Sequence, residues 1–294
     1  MKAFRSLLFV PGNRTDFLDK ADKYGADALI VDLEDAVPEA LKHEGQDIVQ
    51  RYLAQRQPGG ASIYVRINPL DTPHTAKDIE SIVSPALEGI VLPKAQSTDD
   101  IRQIDEMLGN WERRRGLDVG QTRIIPCLET ALGMVRTFEI CTSSPRIETV
   151  FSAGISRDGD GNRSVGYQWT KGGMERLYLR SRILLEARAA GIEHPICGVW
   201  IDLDDPEGLR NELLFARQLG YQGYVLIYPG HVAAANEVFG VTQEEIRYAN
   251  DLIAAMAEAE ARGVAAIRFE GAMVDIANVA KARLTLEKAK RYQR

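Results

Sequence analysis

Carboxylates, one arginine and one lysine stand at or just beyond the ends of short apolar runs along this chain of 294 residues. Asp32-Leu33-Glu34-Asp35 follows Ala28-Leu29-Ile30-Val31, Arg66-Ile67-Asn68 follows Ile63-Tyr64-Val65, and Lys94 ends Ile90-Val91-Leu92-Pro93. Glu129 closes the run 124–128, and Asp158 follows the run 150–155. Glu129 and Asp158, without histidines at metal-ligand spacing, suit a hard cation such as Mg²⁺ that keeps several of its waters. The same pair reads equally well as two solvated loop carboxylates. Arg66 is able to clamp a carboxylate and stabilise charge developing on oxygen, or to form an ion pair with Glu34 or Asp35. Lys94 reads as a structural partner of acids or as a Schiff-base lysine; the carboxylates around it fit a metal-dependent site better. Pro11-Gly12-Asn13-Arg14 is either a plain turn or a loop whose N–H groups and Arg14 face an anion.

Asp158-Gly159-Asp160-Gly161-Asn162 imitates the start of a calcium-binding EF-hand loop. The required glycine at position six is Arg163, however, and the glutamate at position twelve is Trp169, so that reading fails. A glycine-rich loop over a metal pocket remains, as does ordinary turn chemistry.

Elements that deliver charges this way are parallel strands, whose C-terminal ends gather on one face. Runs at 7–11, 28–33, 63–68, 89–94, 122–128, 149–153, 197–202 and 223–228 predict eight strands, mostly continuous in Val, Ile and Leu as strands buried on both faces are. Helices are expected at 15–24, at 174–190 and at Pro206–Leu219, each stopping at a glycine. The alternation predicts an α/β fold, a (β/α)8 TIM barrel. A doubly wound sheet is the alternative, but no strand is followed by GxGxxG. Thr242-Gln243-Glu244-Glu245 reads as a capping box opening a helix to Arg262, followed by 264–271 and another helix from about Ala272. The expected division is a barrel catalytic domain, 1–240, and a C-terminal helical extension, 241–294, packing on its own barrel or on a neighbouring subunit.

A net charge of −6 gives no support for nucleic-acid binding, which usually shows as a basic patch. The locally basic 281–294 fits a solvated helix face. Cys127, Cys141 and Cys197 are widely spaced and form no disulfide framework or zinc motif. No run approaches the ~20 apolar residues of a membrane helix, and nothing at the N-terminus resembles a signal peptide. A cytoplasmic location is therefore expected.

Taken in order, Arg5-Ser6-Leu7-Leu8-Phe9-Val10-Pro11-Gly12, Asp32-Leu33-Glu34-Asp35-Ala36-Val37, Val65-Arg66-Ile67-Asn68, Leu92-Pro93-Lys94 and Leu128-Glu129-Thr130-Ala131-Leu132-Gly133 form a specific set. Gly223-Tyr224 through Tyr228-Pro229 and Gly271-Ala272-Met273-Val274-Asp275 extend it. The set resembles the citrate lyase β-subunit-like branch of the HpcH/HpaI aldolase family. The resemblance implies a TIM barrel that assembles as trimers or hexamers and holds Mg²⁺ (or Mn²⁺) on Glu129 and Asp158. It implies that Arg66 binds a keto or hydroxy acid, that Glu34 and Asp35 support substrate and metal waters, and that Arg14 and Lys94 line the substrate site. Asp275, contributed by a neighbouring subunit, would handle a proton at a thioester α-carbon. Three departures stand out. Asp158 lies four residues after Gly154 where the family has three, so Asp160 competes for its role. Tyr228 replaces the histidine of Ile-His-Pro, and Tyr224 replaces a lysine; both are expected on the substrate side.

The reaction so implied is Mg²⁺-dependent cleavage of a 3-hydroxy acyl-CoA thioester, of malyl-, citramalyl- or citryl-CoA type, to a 2-keto acid and an acyl-CoA. The alternatives are a pyruvate-type class II aldolase, or an acyl-lyase subunit acting only within a citrate lyase-like complex. The partner expected in each case is a small molecule, a CoA thioester or 2-keto acid, with neither nucleic acid nor membrane.

Overall fold

Val-, Ile- and Leu-rich segments become parallel strands here because helices or neighbouring strands cover both of their faces. The computed structural model describes residues 2–57, 59–152 and 155–292. Seven strands form one sheet: β1 (Ser6–Pro11), β2 (Ala28–Asp32), β3 (Ser62–Arg66), β4 (Gly89–Leu92), β5 (Arg123–Pro126), β6 (Ile196–Gly198) and β7 (Gly223–Leu226). Their order is β5-β4-β3-β2-β1-β7-β6, and every pairing is parallel. Each residue of β2, β4 and β7 is buried. The register sets Pro11 beside Asp32 and Asp32 beside Arg66, so charged strand ends meet at one level.

The sheet curls around a core that takes side chains from every strand, including Leu7, Ile30, Tyr64, Val91, Ile125, Ile196 and Val225. Between β5 and β6 the described residues make single parallel bridges, Ile124 to Ile147, Cys127 to Phe151 and Phe151 to Ile196. The expected strand 149–153 is therefore not a ladder among the described residues; Ala153 and Gly154 lie outside them. Glu148, Thr149 and Ser152 leave this stretch too polar for a long buried strand. Among the described residues the architecture is an α/β fold whose parallel sheet curls into a half-barrel.

Helices α1 (Thr15–Leu18), α2 (Lys42–Gln55), α3 (Thr75–Ile82), α4 (Thr98–Arg114), α5 (Ala131–Val135), α6 (Thr137–Cys141), α7 (Asp160–Val165), α8 (Met174–Ala189), α9 (Pro206–Leu219) and α10 (Val232–Phe239) connect and follow the strands. The expected helix 15–24 is split: α1 ends early, and a 3₁₀ turn over Ala21–Tyr24 leads to Gly25 in the left-handed conformation. Ser97 and Asp100 form a capping box that starts α4.

Contacts divide the chain into two compact units, Met1–Val238 and Phe239–Arg294. The second holds α11 (Gln243–Ala261), a hairpin of β8 (Ile267–Phe269) and β9 (Ala272–Val274), and α12 (Ile276–Tyr292). The capping box at Thr242 is present: Thr242 Oγ1 accepts from Glu245 N at 3.1 Å, and Glu245 Oε2 accepts from Thr242 N at 2.8 Å. Residues near Ala272 form a strand, not the helix expected. Glu270 and Gly271 both take positive φ, 44° and 87°, as a two-residue type I′ hairpin turn demands. The last helix starts after Asp275, whose Oδ1 accepts from Ala277 N at 2.9 Å as an N-cap does. Ala249, Leu252, Met256, Val274, Val279 and Ala282 form this unit's own core. No helix among the described residues is long and apolar enough to cross a membrane.

Candidate active site

The register of β2 and β3 creates the first contact of the site. Arg66 Nε donates to Asp32 Oδ1 at 2.7 Å and Nη2 donates to Asp32 Oδ2 at 2.6 Å, a bidentate fork. Asp32 also accepts from Glu34 N at 2.9 Å and Ala36 N at 3.1 Å, which shapes the acidic loop behind β2. Two further carboxylates crowd the same guanidinium: Arg66 Nη1 lies 3.0 Å from Glu34 Oε2 and 3.5 Å from Asp35 Oδ2. Burial alone would lower the Arg66 pKa, but Asp32, Glu34 and Asp35 outweigh it and raise it. Its guanidinium also rests 4.7 Å from the Phe9 ring centroid.

Glu34 is buried, and its Oε2 has no well-aligned hydrogen bond despite the ion-pair distance to Arg66. Burial pushes its pKa up to about 7; Arg66 opposes that rise, while Glu129 and Asp35 add to it. A carboxyl with such a value can exchange a proton near neutrality.

Lys94 and Glu129 come from the ends of β4 and β5. Lys94 takes a left-handed φ of 51°, a conformation costly for a residue with a side chain and typical of functional sites. It thereby aims its N–H at Glu129 Oε1, at 2.9 Å. Its Nζ lies 3.4 Å from Glu34 Oε1 and 3.7 Å from Asp160 Oδ2. Glu129 is buried, and burial raises its pKa; Arg66 and the Lys94 N–H oppose this, and Asp160 adds to it.

The two aspartates after Gly154 differ sharply. The Asp158 side chain is 81% exposed and lies 3.4 Å from Arg157. The Asp160 side chain, at the start of α7, is 20% exposed and pairs with Arg163. Arg157, three residues after Gly154, turns instead to Asp202 at 3.1 Å and stacks 5.4 Å from the Trp169 ring.

Asp35, Arg66, Glu129, Asp158 and Asp160 line one cavity of 590 Å³, together with Asp32, Arg163, Cys127, Ser156 and an apolar wall of Phe9, Pro11, Val199 and Ile227. That volume is in the usual range for a small-molecule site, roughly 300–1,000 Å³. Glu34 and Lys94 join it through their ion pairs. Arg14 does not: it forks onto Asp16 at 2.8 Å in both contacts, lies 4.0 Å from the Phe17 ring, and is absent from the lining. Asp275 belongs to the second compact unit, where its side chain caps α12.

Asp32 and Arg163 also line the cavity, although the sequence reading gave neither a role. Asp32 carried a signal, since it ends β2 directly opposite Arg66. The family departures also prove different from expectation. Tyr224 is fully buried and its hydroxyl donates to Glu212 Oε1 at 3.0 Å, away from the cavity lining. Glu212 already pairs with Arg180, so the lysine of the family pattern is replaced by a neutral donor without stranding the carboxylate. Tyr228 is also absent from the lining and packs edge-on against His231, 5.1 Å between ring centroids; Ile227 takes the wall position.

Five carboxylates (Asp32, Asp35, Glu129, Asp158, Asp160) face two guanidinium groups (Arg66, Arg163) in the lining, 2 − 5 = −3 with all ionised. Among the described residues no group of three or more His, Cys, Asp or Glu side chains converges as a cation cage. An oxygen-only set of two carboxylates suits Mg²⁺, which is usually held by one or two carboxylates and keeps waters. Glu129 with Asp160 fits that description.

The sequence matches the HpcH/HpaI aldolase/citrate lyase family over residues 5–229. It is 34% identical over 285 residues to the citrate lyase subunit beta of Leuconostoc mesenteroides subsp. cremoris, covering 97% of this chain and 93% of that one. It is 36% identical over 286 residues to a citrate lyase subunit beta-like protein of Deinococcus radiodurans, covering 96% of each. Among solved structures, the Mycobacterium tuberculosis CitE protein in complex with magnesium, acetoacetate and coenzyme A aligns over 98% of both chains, with a TM-score of 0.77 and 28% identity. The chain is an enzyme, a lyase belonging to the HpcH/HpaI aldolase/citrate lyase family.

Proposed function

We propose that this chain is a Mg²⁺-dependent carbon–carbon lyase that cleaves a 3-hydroxy acyl-CoA thioester to a 2-keto acid and an acyl-CoA. The observation that carries the reading is the charge of the cavity. Five carboxylates against two guanidinium groups would repel an anionic keto acid unless a divalent cation intervened. The magnesium, acetoacetate and coenzyme A held by the M. tuberculosis relative support the same substrate class.

Glu129 and Asp160 would hold the cation, with Asp158 at the solvent edge. When bound, Mg²⁺ supplies Lewis-acid polarisation of the substrate's hydroxyl and carboxylate oxygens. Arg66, fixed by its fork to Asp32, orients the hydroxy acid and stabilises charge on the hydroxyl oxygen as the carbon–carbon bond breaks. Glu34 would accept the proton that the hydroxyl loses as the keto group forms. Lys94 stands between Glu34 and Asp160 and offsets their mutual repulsion, and its N–H fixes Glu129. The apolar wall of Phe9, Val199 and Ile227 excludes water from the reacting centre. Asp275, presented by a second copy of the chain, would return a proton to the thioester α-carbon. Closure of the sheet through the bridges at Phe151, giving a full barrel, belongs to this reading, as does assembly into trimers or hexamers.

The test is turnover with malyl-, citramalyl- and citryl-CoA, with Mg²⁺ or EDTA, scoring keto acid and acyl-CoA. Metal-dependent cleavage of one ester is expected. Silence on all three, with pyruvate–aldehyde condensation instead, would replace the lyase by an aldolase. Activity that survives dilution to monomers would remove Asp275 of a second copy from the mechanism.

A further inference from the structure

The cavity's two guanidinium groups are not equivalent. Arg66 has its Nε and Nη2 committed to Asp32 at 2.7 and 2.6 Å and its Nη1 to Glu34 at 3.0 Å, and its side chain is 15% exposed. Releasing it would strand buried carboxylates, which is strongly unfavourable. Arg163 stands on α7 with a side chain 67% exposed. Its contacts are an i,i+3 ion pair with Asp160 and a 3.0 Å hydrogen bond to the Asp158 carbonyl. Exposed pairs of that kind contribute little to stability. Arg163 is therefore the cavity cation that can exchange its partner for an incoming anion. Lys94 is not an equivalent, because it lies outside the lining and between Glu34 and Asp160. Elsewhere the lining offers an incoming carboxylate no further cation, only Ser156 and Cys127 among apolar groups and other carboxylates.

We propose that Arg163 is a specificity-determining residue that binds the second carboxylate of a dicarboxylic 2-keto acid, so that the site prefers such an acid over a monocarboxylic one. The inference rests on the lyase reading above and adds to it the substrate's second charge. One end of the keto acid meets Arg66; its far carboxylate displaces Asp160 from Arg163 Nη2 and takes a bidentate contact with the guanidinium.

Isothermal titration calorimetry of the full chain with Mg²⁺ separates the outcomes, using freshly dissolved oxaloacetate and pyruvate as probes. The wild type should bind oxaloacetate at least about tenfold more tightly than pyruvate. Arg163→Gln should weaken oxaloacetate about ten- to a hundredfold, the worth of a charge-assisted hydrogen bond, and leave pyruvate within about twofold. Arg163→Lys, which keeps the charge but not the fork, should fall between. Mn²⁺ affinity, read by electron paramagnetic resonance, should stay within about twofold in Arg163→Gln, a result that excludes damage to Asp160. Equal loss on both acids, no loss on either, or a wild type without preference would each overturn the role of Arg163 while leaving the lyase reading intact. A wild type that binds neither acid would instead overturn the lyase reading itself.

Discussion

Two arginines surrounded by acids, Arg146 buried and Arg66 mostly so, do opposite things in this molecule. Arg146 lies by the N-terminal end of β5, where its Nη1 and Nη2 donate to Glu112 at 2.8 and 2.7 Å and its Nε donates to Asp105 at 2.6 Å. Glu112 also accepts from Gly120 N and Thr122 N, each at 2.8 Å, so its lone pairs are used. Burial would raise its pKa, but these bonds prevail and hold it down to about 2. At the other end of the strands Arg66 is shared among Asp32, Glu34 and Asp35, and Glu34 is pushed up to about 7. A charge cluster in which every group is satisfied serves structure. A surplus of carboxylates around one cation marks the place where something else must bind.

The largest effect expected is on the satisfied cluster. Arg146→Met leaves Glu112 buried without its partner, which costs about 3–5 kcal/mol, read as a shift of the chemical-denaturation midpoint. Turnover per folded molecule should stay unchanged. Comparable losses of stability and of turnover per folded molecule would dissolve the distinction between the two ends.

Next in size is Glu129→Gln. Loss of this proposed cation ligand should lower kcat about 10²–10³-fold and weaken Mg²⁺, with thermal stability nearly unchanged. Activity retained at wild-type level would take Glu129 out of the site.

The clusters should also respond to pH with opposite signs. Glu112 has a folded pKa below the ordinary 4.5, so its contribution is present above pH 4.5 and is lost as pH falls toward about 2. Glu34 has a folded pKa above 4.5, so the folded protein keeps a proton the unfolded chain has released. Its stabilising effect is full below pH 4.5 and declines as pH rises toward about 7, by up to about 3 kcal/mol. Glu34→Gln should remove this second slope from the urea midpoints measured in EDTA between pH 4.5 and 8. An unchanged slope would show that Glu34 titrates normally.

Much of the site was legible because strand ends carry function in parallel sheets: Arg66, Lys94 and Glu129 each follow an apolar run and meet as that rule requires. The fork to Asp32 was less legible, because it depends on the β2–β3 register and not on any local pattern. Partnerships distant in sequence left no signal at all. Glu112 finds Arg146 thirty-four residues on, and Tyr224 finds Glu212 on a different element. The hairpin at Glu270-Gly271 was masked by helix-forming residues on both sides, its one cue being the glycine. Arg14 had the right motif, but its neighbour Asp16 took its fork first.

The smallest expected effect tests which side of the comparison each loop aspartate belongs to. Asp158 and Asp160 lie two residues apart and line the same cavity, yet only Asp160 is within reach of Lys94 and raises the pKa of Glu129. An aspartate that is 81% exposed beside Arg157 is screened by water and interacts weakly with a charge across the cavity. Asp158→Asn should therefore change Mn²⁺ affinity by less than about twofold, as expected of a screened surface charge. Asp160→Asn, which removes a charge from the cluster itself, should weaken the ion about ten- to a hundredfold, in line with one charge-assisted contact. Both are read by electron paramagnetic resonance of the bound ion. The reverse ranking would mean that the loop after Gly154 rearranges on binding, carrying Asp158 inward and giving Asp160 wholly to Arg163. The surplus of acid at this end of the sheet would then be a property of the loop's open form alone.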